Sequence, residues 1–421
     1  MQLVNITLQN FRGIKNLNVT FNPGVNLVIG NNGAGKTSLL NGIAVVLSTL
    51  PVFLSNTYLQ INKNDIYVTA ETTGDVTENL KYHIPVSLDY EVNLDAKIYK
   101  ERLEKPTESG SVEFKTVVLA QHVKQLAETN QPLPLLCYLN AGRGTVKYEE
   151  KKQMLIKKGK VERVDGYRGA FNETMNFNDI ENWCFRMDLA EYQRKKEIRE
   201  YKFFKTMVSS FIKFLQVNAR EPKIYYSSAW GSLVYVEGGE ETPFYNLSAG
   251  FQSALCMAME LSYRTSVLNP ELAEGIRDVE GIVLIDEIEM HLHPAWQWRI
   301  LEALKNTFPK VQFIVATHSP VILSSAKDAS LYLMKSVDEI ISLASAFGYK
   351  ISDILEDKQG TKDMPEEVAS YYEKIENLID AGDDKELQKL QESIWDKYGK
   401  DSHVSKMIDD FIIVNKWIGE E

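Results

Sequence analysis

Apolar positions alternate twice before residue 22. They do so loosely in Leu3-Val4-Asn5-Ile6-Thr7-Leu8 and cleanly in Leu17-Asn18-Val19-Thr20-Phe21, and period two is the mark of half-buried strands. Pro23-Gly24 reads as a turn, and Val25–Ile29 as a third strand. The segment 38–47 then opens as a helix. A mixed stretch follows over 56–103, within which 82–98 predicts a hairpin or meander. Leu133-Pro134-Leu135-Leu136-Cys137-Tyr138-Leu139 reads as a short buried strand ending at Asn140-Ala141-Gly142-Arg143-Gly144. Residues 183–215 predict one long helix with a charged middle, Arg194-Lys195-Lys196-Glu197, and strands follow at Lys223–Ser227 and 232–236. An Ala- and Met-rich helix is expected over 253–261. Gly281–Ile285 is apolar throughout, as a strand buried on both faces requires. A helix over 296–306 and a buried strand at Val311–Ala316 complete a second strand-helix-strand unit. Two such units in succession indicate right-handed parallel crossovers in one sheet.

The last segment has a different period. Val368, Tyr372, Ile375, Leu378 and Ile379 share one helical face, with Pro365 suited to its start and Gly382 to its end. Leu387, Leu390 and Ile394 mark a second helix that ends near Gly399, and Val404, Met407, Ile408 and Phe411 a third. Charge sets this region apart as well. Residues 351–421 hold 19 Asp/Glu against 9 Lys/Arg, a net −10 of the chain's −11, so the first 350 residues are close to neutral. An acidic helical region is a poor surface for a nucleic-acid backbone; it suits either a basic protein partner or plain solvation. With 421 residues, 44% hydrophobic and 25% charged, the chain has core enough for two or three domains. Cys137, Cys184 and Cys256 are widely spaced and odd in number. That argues against a disulfide framework or zinc site and fits a reducing cytosol. Residues 1–20 show no signal-peptide pattern, and no apolar run is long enough for a membrane span.

The strand at Val25–Ile29 delivers Gly30-Asn31-Asn32-Gly33-Ala34-Gly35-Lys36-Thr37-Ser38, a complete G-x-x-x-x-G-K-[ST] phosphate loop in strand-then-helix context. Such a loop turns backbone N–H groups onto phosphate oxygens, and the helix behind adds the positive end of its dipole. Asn31 through Ser38 are the expected nucleotide contacts, with Lys36 reaching the terminal phosphates and Thr37 holding Mg²⁺. Asp286-Glu287 closes the apolar strand before it, where Asp286 can hold Mg²⁺ and Glu287 can polarise a water for attack. Thr317-His318-Ser319-Pro320 ends the next strand and offers His318 as a donor to the γ-phosphate. A Ser-His hydrolase pair is not supported by neighbours in sequence without a nucleophile elbow. Leu247-Ser248-Ala249-Gly250-Phe251-Gln252 precedes a helix, with Ser248 as N-cap and Gly250 permitting close backbone approach. His291 and His293 with Glu289 form either a metal site or a loop facing a partner. Residues 147–163 hold seven bases and three acids, including Lys151, Lys152, Lys157, Lys158, Lys160 and Arg163. With Arg194-Lys195-Lys196 they are the candidates for nucleic-acid contact, or else solvated surface.

The strings I-D-E-I-E-x-H-L-H-P at 285–294 and A-T-H-S-P at 316–320, with Asn10-Phe11-Arg12-Gly13 at the start, resemble an ABC-type ATPase of the SMC/RecF/OLD branch. The likeness is to the bacterial ATP-binding proteins akin to Septu-type and retron-associated antiphage ATPases. It covers residues 1–325, and the tail from Ala346 more loosely. It implies an α/β fold: a P-loop ATPase with a mixed β-sheet core, an α/β insertion between P-loop and signature, and a small helical C-terminal region. The expected parts are a core in two pieces, 1–55 and 241–345, a sheet lobe with helical insertion at 56–240, and an acidic tail at 346–421. In this family the signature of one subunit contacts the γ-phosphate held by another, a role the resemblance gives to Ser248 and Gly250. Glu287 takes the part of catalytic glutamate, His318 that of switch histidine, and residues 289–293 that of the segment facing the partner. Lys36 joins them at the phosphates. Gln60 and Asp65 are candidates for the Q-loop, which no string matches; Asn10 and Arg12 are nucleotide contacts or plain sheet residues.

The implied protein binds ATP and Mg²⁺, pairs head to tail with a second copy or forms a higher homo-oligomer, and works in the cytoplasm away from membranes. Its implied partner is a separately encoded nuclease in antiphage defence, such as the HNH partner of Septu-type systems. OLD proteins carry a Toprim nuclease after the ATPase, where this chain has only its acidic tail. The alternative is a DNA-binding repair ATPase of RecF type, with nucleic acid held by the insertion. The roughly two-hundred-residue insertion argues against a transporter cassette and is too short for a long SMC coiled coil. A scaffold that does not hydrolyse ATP conflicts with the full set of catalytic residues.

Overall fold

The alternation at the start becomes strands β1 (Gln2–Phe11) and β2 (Ile14–Thr20), followed by β3 (Val25–Ile29), helix α1 (Lys36–Thr49) and the single turn α2 (Val52–Ser55). Next come β4 (Val68–Thr73), β5 (Thr77–Tyr82), β6 (Val86–Leu94), β7 (Lys97–Lys105) and the short β8 (Glu113–Phe114). Helix α3 (Val118–Glu128) leads to β9 (Leu135–Leu139). This computed structural model describes residues 1–55, 58–73, 77–141, 162–172, 177–272, 278–350, 366–400 and 402–418. The lysines at 151, 152, 157, 158 and 160, Gly142 to Gly144, and Pro365 lie outside the described residues.

Beyond residue 176 stand α4 (Phe177–Arg194), α5 (Arg199–Leu215), β10 (Lys223–Ser227), β11 (Ser232–Glu237), β12 (Glu240–Pro243) and α6 (Ala249–Leu268). The chain then runs through β13 (Gly281–Ile285), α7 (Pro294–Gln297), α8 (Ile300–Thr307), β14 (Val311–Ala316), α9 (Pro320–Ser325), β15 (Ser330–Ser336) and β16 (Glu339–Leu343).

The core sheet has the order β16-β15-β3-β14-β13-β9. β15, β3, β14, β13 and β9 run parallel, and β16 is antiparallel on the edge. β3, β9, β13 and β14 are buried at every position, which accounts for their nearly continuous apolar runs. A second, antiparallel sheet has the order β2-β1-β6-β7-β8. α1 touches strands of both sheets, so apolar residues occupy nearly its whole circumference rather than one stripe.

Two buried polar residues explain breaks in that pattern. Asn26 of β3 accepts from the Asn22 amide at 2.9 Å and donates to the Asn22 carbonyl at 2.8 Å. Gln312 of β14 accepts from Leu3 N at 2.8 Å and donates to Leu3 O at 3.0 Å, tying the antiparallel sheet to the core sheet. Both satisfy their amide groups inside the protein, as burial demands.

The single helix expected over 183–215 is two. α4 ends at Arg194, Lys195 takes a left-handed backbone (φ 49°), and α5 begins at Arg199. The Glu191 carboxylate accepts from Ile198 N at 2.8 Å across the break. The helix expected over 296–306 is likewise split into α7 and α8, and the helix expected over 253–261 extends to α6. Ala346 is buried and Gly348 donates to Ser324 O, so the first compact unit runs Met1–Tyr349.

The second unit, Lys350–Glu421, contains helices Glu366–Asp380, Asp384–Tyr398 and His403–Ile418. Ile375, Leu387, Ile394, Ile408 and Ile412 form its own core. Asp383 caps the middle helix by accepting from Glu386 N at 3.2 Å. No helix among the described residues is long and apolar enough to cross a membrane.

Candidate nucleotide-binding site

β3 ends under the phosphate loop, and Gly35 caps α1 with φ 100°, a conformation that costs a residue with a Cβ. The first-turn N–H groups of α1, from Lys36 to Ser38, have no carbonyl of their own helix to bind and remain for an anion. Lys36 reaches back over the loop, donating to Gly30 O at 2.8 Å and Asn31 O at 3.1 Å. Burial pushes its ammonium below the ordinary lysine range, opposed by Asp286, Glu289 and Glu287.

β13 places Asp286 two strands from β3, yet the Thr37 hydroxyl donates to Asp286 Oδ2 at 2.9 Å. A hydroxyl and a carboxylate converging at a phosphate loop form a hard oxygen set, the chemistry that suits Mg²⁺. Glu287 follows in a left-handed backbone (φ 46°), an uncommon state for a residue with a side chain. β14 brings His318 to the same place. A cleft of about 350 Å³ is lined by Gly13, Asn32, Gly33, Gly35, Lys36, Thr37, Ser38, Asp286, Glu287, Ala316, His318 and Val337. Burial, then the Lys36 charge, lower the His318 pKa, opposed by Glu289, Glu287 and Asp286.

Ser248 and Gly250 are not among the residues lining this cleft. Ser248 caps α6 by accepting from Phe251 N at 3.4 Å. Gly250 lies so near the turn after β13 that a Cβ there would stand 2.5 Å from His291 O.

Gln60 is exposed, and Asp65 accepts from Arg12 Nε at 2.8 Å; neither lines the cleft as a Q-loop residue would. Arg12 is thereby engaged away from the cleft, while Asn10 donates to Pro85 O at 3.0 Å. His291, His293 and Glu289 are not brought together as a group of ligands among the described residues. His293 instead caps α7, its Nδ1 accepting from Ala295 N at 3.2 Å. Glu289, expected in the segment facing a partner, turns its carboxylate inward onto Thr317 and His318. Its spacing from Asp286 gave no signal of this. Val337 was also missed as a wall of the cleft; only the β15–β16 hairpin brings it there.

Comparison with known proteins points to an ATPase on this fold. A family profile described as "AAA domain" matches residues 5–207, and one described as "AAA domain, putative AbiEii toxin, Type IV TA system" matches residues 193–324. The chain is 27% identical to the Retron Vc95 probable ATPase of Vibrio cholerae serotype O1 biovar El Tor, over 94% of this chain and 88% of that protein. It is 24% identical to the Septu protein PtuA of Bacillus thuringiensis, over 93% and 91%. In fold it is similar to a crystal structure of an SMC head bound to the C-winged helix domain of ScpA, with a TM-score of 0.51 and 15% identity over 82% of this chain and 98% of that one. The two profiles run together from β1 past the histidine strand, over every residue lining the cleft except Val337. The chain is therefore a P-loop ATPase with an SMC-head-like fold.

Proposed function

We propose that the ATPase is a switch that closes head to tail with a second copy on ATP and reopens after hydrolysis. One observation carries this reading. Lys36, Thr37, Asp286, Glu287 and His318 converge on one cleft, whereas Ser248 and Gly250, the expected γ-phosphate contacts, stay outside it. A second copy's α6 N-terminus would supply the missing wall, with its first-turn N–H groups directed at the anion. Thr37 and Asp286 would hold Mg²⁺, which when bound would supply charge neutralisation at the phosphates. Lys36 adds a second positive charge. Glu287 orients and polarises the attacking water, and His318 donates a hydrogen bond to the terminal phosphate. Asn31 through Ser38 hold the nucleotide. Closure follows from ligand contacts present only in the paired state.

The effector of the switch is a separately encoded nuclease in antiphage defence. The support is similarity to retron and Septu ATPases along almost the whole chain, together with the acidic helical unit, which offers a surface to a basic protein. The test pairs turnover with assembly. Glu287→Gln should abolish ATP hydrolysis, retain ATP binding, and accumulate a two-copy particle with ATP in light scattering. A particle that remains a single copy at saturating ATP would overturn the switch. A neighbour-encoded protein that neither binds the ATPase nor changes its nuclease activity with ATP would overturn the effector assignment.

A further inference from the structure

The segment from the turn after β13 through α7 is joined to the end of β14 and the loop that follows it by three sets of hydrogen bonds. Ile288 N donates to Ala316 O at 3.3 Å. The Ser319 hydroxyl donates to Gln297 Oε1 at 2.6 Å, and Gln297 Nε2 donates to Leu292 O at 3.1 Å. The third set belongs to Glu289. Its Oε2 accepts from the Thr317 hydroxyl at 2.7 Å, and its Oε1 accepts from the His318 backbone N–H at 2.6 Å. Thr317 is fully buried, and its Oγ1 accepts in turn from Ser319 N at 3.0 Å.

We propose that Glu289 is a positioning residue for His318: its two carboxylate oxygens pin the backbone on which the imidazole is carried and so set where that ring stands in the cleft. This rests on the reading of the cleft as the site of ATP hydrolysis.

The side-chain chemistry explains why a carboxylate is used. Two donors, one hydroxyl and one amide, converge on this side chain, and an ionised carboxylate offers an acceptor to each. Both bonds are charge-assisted and short, the stronger kind. A Gln side chain has one acceptor oxygen. Its amide would face one of the two donors; even if Thr317 Oγ1 took that amide on its second lone pair, the hydroxyl would lose its acceptor and both bonds their charge assistance. Glu289 itself is not among the residues lining the cleft; its charge is felt at Lys36, but its two hydrogen bonds reach the phosphates through His318.

The same turn is also where Gly250 approaches, against His291 O. One short segment thus carries Glu287 into the cleft, holds His318 through Glu289, and abuts the start of the signature helix. A shift of that helix on pairing would reach the histidine through Glu289.

The test uses the full chain with steady-state ATP turnover, ATP affinity and melting temperature measured together. Glu289→Gln should lower kcat about tenfold or more, leaving ATP affinity within about threefold and the melting temperature close to wild type. Thr317→Val should lower kcat in the same way, and Thr317→Ser, which keeps the hydroxyl, should restore it; this pair serves if Glu289→Gln folds poorly. Because the Glu289 hydrogen bonds act through His318, adding Thr317→Val, which leaves the Glu289 charge at Lys36 in place, to His318→Ala should lower kcat no further than His318→Ala alone. A kcat within twofold of wild type for Glu289→Gln and Thr317→Val, losses that multiply in the double variant, or ATP affinity falling in step with kcat would each overturn the proposal. Glu287→Gln is run beside them. If that variant loses turnover while the Glu289 variants keep it, only the positioning role falls. If it keeps turnover, the reading of the cleft falls and the proposal with it.

Discussion

Gly250→Ala is a small change with a large expected effect. The new Cβ would stand 2.5 Å from His291 O and 3.7 Å from Trp296 Cζ3. Ordinary C···O contact begins near 3.3 Å, so either the α6 N-terminus or the turn must yield by roughly 0.8 Å. The carbonyl cannot simply rotate away. Its turn is closed by Met290 N→Glu287 O and Leu292 N→Glu289 O, both 2.9 Å. Overpacking of this kind costs about 1–3 kcal/mol. A displacement near 1 Å at a catalytic wall costs on the order of a hundredfold in rate. Gly250→Ala should therefore lower kcat about a hundredfold, depress the melting temperature by a few degrees, and leave single-copy ATP binding at the phosphate loop unchanged. Steady-state turnover, titration with a fluorescent ATP analogue and a thermal melt measure the three. Ser248→Ala is the comparison: it loses a helix cap, about 1 kcal/mol, without a steric clash. Wild-type turnover and melting for Gly250→Ala would show that α6 does not approach the turn as described.

Arg264 of α6 is buried with Glu260, donating through Nε at 2.7 Å and also through its second guanidinium nitrogen; it donates further to Gly166 O at 2.7 Å and Arg168 O at 3.0 Å. Arg264→Leu strands a buried carboxylate and two carbonyls and should cost about 3–5 kcal/mol in denaturant unfolding, whereas replacing both partners by Leu should recover part of that; a loss under about 1 kcal/mol for the single variant contradicts the pairing. His318 should titrate below 6.5 in the nucleotide-free protein, since burial and then Lys36 depress it. A lowered pKa means the folded chain binds fewer protons than the unfolded one between the two midpoints, so this group's contribution is intact above 6.5 and is lost as pH falls through the folded midpoint. Ring NMR, assigned with His318→Gln, reads the midpoint, and a value at or above 6.5 refutes the stated environment.

The parts legible in the sequence were those fixed locally. The strand, glycine loop and helix of residues 25–49 announce themselves through apolar run and motif, as do Asp286-Glu287 at a strand end and the three helices of the tail. Long-range pairings left no such mark. Nothing near Gln312 says that its amide binds Leu3, more than three hundred residues away. The break at Lys195 was hidden because a charged run reads equally well as the solvated face of one helix; a left-handed residue and the Glu191–Ile198 bond decide it. Glu289 was misjudged because its partners, Thr317 and His318, arrive from a different strand. Periodicity reports which face a residue occupies, and not which donor waits there.

The left-handed backbone at Glu287 places two selective pressures in opposition. The αL state costs a residue with a Cβ on the order of 1–2 kcal/mol, whereas glycine adopts it freely. In a library scored only for folded protein, Gly and Asn should be enriched at position 287 over the Glu that stands there. In a library scored for turnover they should vanish. Position 287 would then be a place where the two fitness landscapes of this ATPase diverge, and the divergence would arise from one backbone dihedral angle.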